Sequence, residues 1–217
     1  MKQSVISGLY AITPDEQDTD ALAAKVQQAL DGGARVIQYR NKLADTPMRY
    51  AQSLGLLALC RPHNVPLIIN DHLDIALTIE ADGVHLGAED GDLAAARRAL
   101  GPNKLLGASC YNRFDLAVKA RDAGADYVAF GAAFASSTKP QAVSATLELY
   151  ARAKAELGIP VVAIGGITTT NAGALIDAGV DAIAVITDLF NARDITATAR
   201  QFSQLFSPSV TPVRSNA

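Results

Sequence analysis

A short segment of the sequence alternates polar side chains that are able to hold an anion. Gln38, Arg40 and Lys42 are spaced by two residues, the period at which a β-strand places side chains on one face. An amide and two cations at one strand end can bind a phosphate or pyrophosphate group through charge-assisted hydrogen bonds. A solvated strand end is the alternative, but the regular spacing with Gln38 favours an anion site.

Two acidic residues follow two further strand-like runs. Asp71 comes directly after Asn70, and Asp90 follows a Gly-Val-His-Leu-Gly run that contains His85. If these runs are neighbouring parallel strands, about 4.8 Å apart, both carboxylates reach one cation, and Mg²⁺ typically takes one or two protein carboxylates. Helix capping competes with this interpretation, because Asp and Asn are preferred N-caps, and the spacing alone favours capping. His72 and His85 are weaker candidates for a direct ligand.

Hydroxyl groups follow the later strand-like runs. Ser109 closes one run, and the loop after the next run carries Ser136, Ser137, Thr138 and Lys139. Hydroxyls can donate hydrogen bonds to a phosphate, and a lysine adds a point charge. Such a loop can also be an ordinary turn, so Lys139 is the residue that favours an anion site.

Two more runs end in residues suited to a phosphate. One ends in Gly165-Gly166, where the absence of side chains lets backbone N–H groups approach a ligand, and the other ends in Ile186-Thr187. Phosphate binding after the seventh and eighth strands recurs in (β/α)₈ barrels. A pair of glycines is also common in tight turns, so this motif is weak by itself.

The elements that must position these residues alternate along the sequence. Amphipathic helical segments separate eight β-rich runs, at residues 5–13, 34–40, 65–70, 83–87, 105–109, 127–131, 161–167 and 182–187. This alternation predicts an α/β fold, an eight-stranded parallel (β/α)₈ TIM barrel, in which all the polar strand ends meet at one mouth. A doubly wound open sheet is disfavoured, because no glycine-rich dinucleotide motif follows the first run.

Helix starts are also marked in the sequence. Thr46 before Pro47 predicts a capping hydroxyl with proline in the first helical position, and Asn112 with Asp115 predicts a second cap. These signals set where two of the crossover helices begin.

The composition predicts a single barrel domain over residues 1–206 and a flexible tail, rich in Ser, Pro and Thr, over residues 207–217. The 217 residues are 49% hydrophobic, enough for one large core. A net charge of −3 gives no basic face for nucleic acid, and no apolar run is long enough to span a membrane. We expect a cytoplasmic protein with Cys60 and Cys110 as free thiols and with small-molecule partners only; the oligomeric state is not predicted.

Taken in order, the strand ends resemble one enzyme family. The motifs are Gln-x-Arg-x-Lys, Asn-Asp, Ala-Asp-Gly-Val-His-x-Gly-x-x-Asp, a serine after the fifth strand, a Thr-x-Thr-Lys-like loop and Ile-Gly-Gly-Ile. The set spans about residues 8–190 and is similar to the thiamine-phosphate synthases. This resemblance favours metal binding over capping for Asp71 and Asp90.

The resemblance implies a transferase that joins hydroxymethylpyrimidine pyrophosphate to thiazole phosphate, giving thiamine phosphate and pyrophosphate. Pyrophosphate would leave first, and the thiazole nitrogen would capture the pyrimidine cation without a side-chain nucleophile. One Mg²⁺ per subunit would be held by Asp71 and Asp90. The pyrimidine pyrophosphate would be bound by Gln38, Tyr39, Arg40, Asn41, Lys42, Asn70, Ser109 and Lys139, of which Arg40, Ser109 and Lys139 are implied to be catalytic. The thiazole phosphate would be bound by Ser136, Ser137, Thr138, Gly166, Ile186 and Thr187.

Several positions differ from the usual family pattern, and most keep the hydrogen-bonding capacity. They are Tyr39 and Asn41 in place of Leu and Glu, Ser136 in place of Thr, and Thr187 in place of Ser. Cys110-Tyr111 follows Ser109 where many relatives carry a histidine, which puts the positioning of substrate near Ser109 in question.

Two other functions compete. Related thiazole tautomerases share the barrel and the phosphate pocket, but they need no pyrophosphate site, and the set Asp71, Asp90, Arg40 and Lys139 argues against them. A non-catalytic barrel that binds thiamine intermediates is the other, since fold alone does not establish activity. The two candidate metal-binding carboxylates, Asp71 and Asp90, argue against such a barrel, because a non-catalytic phosphate binder would not need them.

Overall fold

The computed structural model describes residues 5–134 and 144–207. Its eight strands are all parallel and form a closed barrel in the order of the chain, with the first strand paired to the eighth. The predicted (β/α)₈ barrel is therefore confirmed. The strands are β1 (Gly8–Ile12), β2 (Val36–Tyr39), β3 (Leu67–Asn70), β4 (Gly83–Leu86), β5 (Leu105–Tyr111), β6 (Tyr127–Phe130), β7 (Val161–Ile164) and β8 (Ala182–Val185).

Helices connect successive strands on the outside of the barrel. They are α1 (Thr19–Asp31), α2 (Thr46–Cys60), α3 (Leu73–Thr78), α4 (Leu93–Leu100), α5 (Phe114–Asp122), α6 (Leu147–Glu156), α7 (Ala172–Asp177), α8 (Thr187–Phe190) and α9 (Ile195–Gln204), with a 3₁₀ turn at Arg61–His63. None of the helices in the described ranges is both long and apolar enough to cross a membrane.

Most strands are shorter than their β-rich sequence runs. The run 5–13 becomes Gly8–Ile12 and the run 161–167 becomes Val161–Ile164, because strand pairing stops where the chain must turn towards a helix. β5 is the exception. It continues to Tyr111, and its pairing with β6 shifts register between Ser109 and Tyr111.

Each strand buries both of its faces, as parallel strands in a barrel must. Outward-facing residues form a large apolar layer against the helices, whereas a smaller cluster fills the barrel interior. The interior cluster consists of Ile6, Tyr10, Ile12, Val36, Ile68, Tyr127, Ala129, Val162, Ala182 and Ala184. Alternation along β1 illustrates the division, since Tyr10 lies inside while Leu9 and Ala11 lie outside.

Both predicted helix caps are wrong in detail. The N-cap of α2 is Asp45, whose carboxylate accepts a hydrogen bond from the Met48 N–H, so Thr46 is already helical. At α5 the N-cap is Arg113, which makes no side-chain cap and instead pairs with Asp115. A carboxylate accepts backbone N–H groups at least as well as a hydroxyl, and the sequence alone does not choose between neighbouring capping residues.

The predicted boundary between barrel and tail is not tested by the structure. The last helix, α9, ends at Gln204, and residues 208–217 lie outside the described residues. Cys60 and Cys110 are free thiols, as predicted, and both are buried.

Candidate active site

The polar ends of β2, β3, β4 and β5 meet at one rim of the barrel. Asn70 lies opposite His85 in the pairing of β3 with β4, and His85 contacts Ser109 of β5. Gln38 on β2 and Arg40 just after it are two residues apart and therefore lie on the same face. Gln38 is buried and Arg40 is partly exposed. The geometry therefore gathers residues that the sequence places far apart, because parallel strands end at the same edge.

A cavity of about 240 Å³ opens between the ends of β2 and β3. Three cationic side chains, Arg40, Lys42 and Arg49, contribute to its lining, together with Asp71 and His72. The remaining lining residues are Tyr39, Asn41 and Asn70. Several cations around one small cavity create a site for a multiply charged anion.

Asp15 balances part of this positive charge. Its carboxylate lies 3.2 Å and 3.3 Å from Arg40 Nη1 and accepts a hydrogen bond of 2.6 Å from the Lys42 backbone N–H. Asp15 therefore holds the end of β2 in place and orients the Arg40 guanidinium.

Capping does not explain Asp71 and Asp90. The N-cap of α3 is His72, without a side-chain hydrogen bond, and the N-cap of α4 is Asp92. Asp71 instead adopts a left-handed backbone conformation, with φ of 63°, and its N–H donates to the His85 carbonyl oxygen. The carboxylate of Asp90 accepts a hydrogen bond of 2.7 Å from the Gly87 N–H.

The two carboxyl groups interact directly. Burial, and then a side-chain hydrogen bond with Asp90 and its negative charge, raise the pKa of Asp71 to about 6, against a smaller opposing effect of Lys42 and Arg40. Two carboxylates in one site repel each other, and a bound cation removes that repulsion. Oxygen donors of this kind suit Mg²⁺, which is often held by one or two carboxylates with water and phosphate oxygens as further ligands. No cluster of three or more candidate ligands among His, Cys, Asp and Glu occurs in the described part of the chain.

Tyr39 and Asn41 direct their side chains away from the mouth and towards α2. The Tyr39 hydroxyl donates to Gln52 Oε1 at 2.8 Å, and Asn41 Nδ2 donates to the same oxygen and to the Glu16 carbonyl oxygen. Both residues lie at the cavity, but these side chains serve to anchor the β2–α2 turn. Their binding role stays a prediction.

His85 lies inside the barrel between two hydroxyl groups. Its Nδ1 is 3.1 Å from the Tyr127 hydroxyl and its Nε2 is 2.9 Å from Ser109 Oγ. Complete burial lowers the pKa of His85 to about 4, with only a small opposing effect from Asp90. His85 is therefore neutral at physiological pH and is hydrogen-bonded at both ring nitrogens, so it has no free nitrogen for a metal.

The opposite side of the mouth is only partly described. Gly166 adopts a φ of 63°, which favours glycine, and its carbonyl oxygen accepts a hydrogen bond from Asn171 Nδ2 at 2.9 Å. Ile186 caps the short helix α8, and Thr187 is its first residue. The loop residues Ser136, Ser137, Thr138 and Lys139 lie outside the described residues, so their predicted roles stay predictions.

Sequence reasoning missed several residues of the site. Arg49 lies on the first turns of α2, where a basic side chain usually faces solvent, and no sequence signal distinguishes it. Tyr10 and Tyr127 are buried interior residues whose hydroxyls meet at 2.7 Å. Their strand positions, on the same face as Gln38 and Ser109, were the available signal.

Comparisons with known proteins agree with this geometry. The model of the family described as thiamine monophosphate synthase matches residues 9–189. A thiamine-phosphate synthase of Methylobacillus flagellatus is 57% identical over 202 residues, covering 93% of this chain and 96% of that protein. A thiamine-phosphate synthase of Aromatoleum aromaticum is 52% identical over 206 residues, covering 95% and 99%.

A solved structure gives the same result. Thiamine phosphate pyrophosphorylase from Pyrococcus furiosus superposes with a TM-score of 0.84 at 35% identity, over 93% of this chain and 96% of that one. The chain therefore belongs to the thiamine monophosphate synthase family of enzymes.

Proposed function

We propose that this chain is a Mg²⁺-dependent transferase that forms thiamine phosphate from a pyrimidine pyrophosphate and a thiazole phosphate. The observation that carries the proposal is the carboxylate pair Asp71 and Asp90 beside a cavity lined by Arg40, Lys42 and Arg49. Pyrophosphate is the group that such a combination of cations and metal-binding carboxylates suits. The high identity to thiamine-phosphate synthases supports the same activity.

The chain's own residues would act mainly on the leaving group. Arg40 and Lys42 lie where they can neutralise the charge that accumulates as pyrophosphate departs, an electrostatic effect that is often the largest single contribution to catalysis. Asp71 and Asp90 would hold one Mg²⁺, which when bound supplies further positive charge to the pyrophosphate oxygens. Lys139, which lies outside the described residues, is proposed to add a further cation.

The pyrimidine would lie over the inner rim between β2 and β5. Gln38, Asn70 and Ser109 present polar groups there, and Ser109 is held by its contact of 2.9 Å with His85. No side-chain nucleophile is needed, because loss of pyrophosphate leaves a cation that the thiazole nitrogen can capture. The thiazole phosphate would be bound opposite by Ser136, Ser137, Thr138, Gly166, Ile186 and Thr187.

The test is an assay for thiamine phosphate with the purified protein and both substrates, in the presence of Mg²⁺ or EDTA. We expect product only when Mg²⁺ is present. Failure to form product with Mg²⁺, while the thiazole phosphate still binds, would overturn the proposal and make thiazole tautomerase the next activity to assay. The cytoplasmic location, the small-molecule partners and the tail at 207–217 remain predictions.

A further inference from the structure

A line of polar side chains, all buried except the half-buried Ser109, crosses the barrel interior beneath the mouth. We name Gln38, Tyr10, Tyr127, His85 and Ser109 the interior line. Gln38 Nε2 lies 2.9 Å from the Tyr10 hydroxyl, and that hydroxyl lies 2.7 Å from the Tyr127 hydroxyl. The Tyr127 hydroxyl contacts His85 Nδ1 at 3.1 Å, and His85 Nε2 contacts Ser109 Oγ at 2.9 Å. The interior line therefore joins two strand-end residues on opposite sides of the site.

The direction of every hydrogen bond follows from counting hydrogens. Gln38 Nε2 can only donate, so the Tyr10 hydroxyl accepts from it. Burial raises the pKa of Tyr10 and of Tyr127, so each hydroxyl keeps one hydrogen. Within the described residues, the hydrogen of Tyr10 has Tyr127 as its acceptor, and Tyr127 must then give its own hydrogen to His85 Nδ1.

This order fixes the tautomer of His85. With Nδ1 accepting from Tyr127, the ring hydrogen is on Nε2, which donates to Ser109 Oγ. With a hydrogen on Nδ1, Tyr127 would have to accept from His85, and the hydrogen of either Tyr10 or Tyr127 would then be buried with no acceptor among the described residues. A buried unpaired donor is costly, so the order that starts at Gln38 is the favoured one.

Both ends of the interior line keep one group for a ligand. Ser109 Oγ accepts from His85 and is therefore free to donate its own hydrogen towards the mouth. Gln38 uses its amide nitrogen inside the barrel, and Oε1 has no hydrogen-bond partner in the described ranges. Among the described residues, Ser53 Oγ is the only fully buried polar side-chain atom without a hydrogen-bond partner. Gln38 Oε1 is therefore not fully buried and keeps some contact with solvent.

We propose that Tyr10, Tyr127 and His85 are positioning residues that fix the hydrogen-bonding polarity of the pyrimidine side of the site, with an acceptor at Gln38 and a donor at Ser109. The ligand atom that meets Ser109 must then be an acceptor, and the one that meets Gln38 must be a donor. This inference rests on the proposed function only in taking Gln38 and Ser109 as substrate contacts.

The polarity can be measured on the free protein by nitrogen NMR. Protein labelled with ¹⁵N at its three histidines would give long-range ¹H–¹⁵N spectra that distinguish the two neutral tautomers and the cation. His63→Asn and His72→Asn assign the His85 signals by elimination. We expect His85 to be neutral with its hydrogen on Nε2 at pH 7.5. A hydrogen on Nδ1, or a cation, would overturn the proposed polarity.

Two variants separate positioning from general stability. Tyr127→Phe removes the donor to His85, so we expect a mixed tautomer and about a 10-fold rise in KM for the pyrimidine substrate, with KM for the thiazole phosphate unchanged. Tyr10→Phe leaves Tyr127 able to donate, so we expect the His85 tautomer to be retained while KM for the pyrimidine substrate rises.

Tyr150→Phe is the matched control. Tyr150 is also a buried tyrosine, and its hydroxyl donates to the Phe130 carbonyl oxygen at 2.9 Å outside the interior line. We expect it to lower the melting temperature without changing the His85 tautomer or either KM. Equal changes in KM for Tyr127→Phe and Tyr150→Phe would overturn the positioning role.

The two proposals fail in different ways. The tautomer measurement needs no turnover, so the Nε2 form in a protein that makes no thiamine phosphate would support the polarity and remove the proposed function. Formation of thiamine phosphate by a protein whose His85 carries its hydrogen on Nδ1 would support the proposed function and overturn the polarity.

Discussion

The Asp90 carboxyl group at the end of β4 acts on the Asp71 carboxyl group at the end of β3 and, together with burial, raises the pKa of Asp71. The left-handed backbone at Asp71 and the turn in which Asp90 accepts from the Gly87 N–H bring the two side chains together. Two acids in contact destabilise each other unless a proton or a cation lies between them. The pair is therefore a local cost to the protein that ligand binding can remove.

Replacing Asp71 by asparagine should stabilise the metal-free protein at pH 7.5. The folded pKa of about 6 lies above the unfolded value of about 3.9, so ionising Asp71 costs stability as the pH rises from about 4 to 6, and the cost persists above that. Because the group is partly exposed, we expect a gain of only about 1 kcal/mol, or about 2–4 °C in melting temperature. Asparagine also tolerates the left-handed backbone.

Thermal unfolding in EDTA checks this prediction. Asp177→Asn on α7 is the control, because Asp177 is exposed and does not line the cavity, and this substitution should change the melting temperature by less. Asp71→Asn should also reduce turnover by about 100-fold or more, through the loss of metal-dependent charge stabilisation. A less stable but active variant would contradict the assignment of Asp71.

The affinity for Mg²⁺ should fall as the solution is acidified. Metal binding requires the Asp71 carboxylate, so a proton held with a pKa of about 6 competes with the cation. Below pH 6 we expect the apparent Kd for Mg²⁺ to rise by about 10-fold per pH unit, and to be nearly constant above pH 7. Isothermal titration calorimetry at several pH values measures it, and a Kd that does not change between pH 5 and 7 would argue against this site.

Arg49→Ala should weaken binding of the pyrophosphate group. Arg49 lines the cavity beside Arg40 and Lys42, and a charged hydrogen bond contributes about 1.5–3 kcal/mol, which corresponds to an increase of about 10-fold or more in the Kd of inorganic pyrophosphate. Arg98→Ala is the control, because Arg98 is an exposed residue on α4 outside the cavity. Calorimetric titration with pyrophosphate compares the two, and equal affinities would remove Arg49 from the site.

Gly107→Ala should destabilise the barrel. A Cβ atom at Gly107 would lie 2.1 Å from Tyr127 Cζ and 2.5 Å from His85 Nδ1, so the two rings would have to move. Overpacking of this kind costs about 1–3 kcal/mol. Gly55→Ala is the opposite case, since nothing lies within 4 Å of a Cβ atom there and alanine favours the α2 helix by about 0.5–1 kcal/mol. In chemical denaturation, the free energy of unfolding should fall for Gly107→Ala and rise for Gly55→Ala.

The architecture was available from the sequence because it depends on local patterns. β-rich runs separated by helical segments predict parallel strands with crossovers, and each run marks its strand to within a few residues. Strand termini and caps were less certain, as Asp45 in place of Thr46 shows, since neighbouring residues with similar chemistry compete for the same position.

The residues that the structure gathers at the mouth were among the sequence candidates where they close a strand, and were missed where they do not. Gln38, Arg40 and Ser109 lie at the ends of β-rich runs and Asp71 directly follows one, so the barrel topology alone brings them to one rim. Whether Asp71 and Asp90 cap helices or face each other could not be decided from spacing, because both arrangements use the same residue types. The structure decided against capping, because the N-caps of α3 and α4 are His72 and Asp92.

The amino-acid sequence by itself therefore determined the fold, the family resemblance and the strand-end residues, since these follow from periodicity and short motifs. Only the tertiary structure decided that Arg49 reaches the cavity, that Tyr39 and Asn41 turn their side chains towards α2, and that Tyr10, Tyr127 and His85 connect Gln38 to Ser109. The physical reason is that these contacts join elements distant in the sequence, and their geometry depends on how the closed barrel fills its interior.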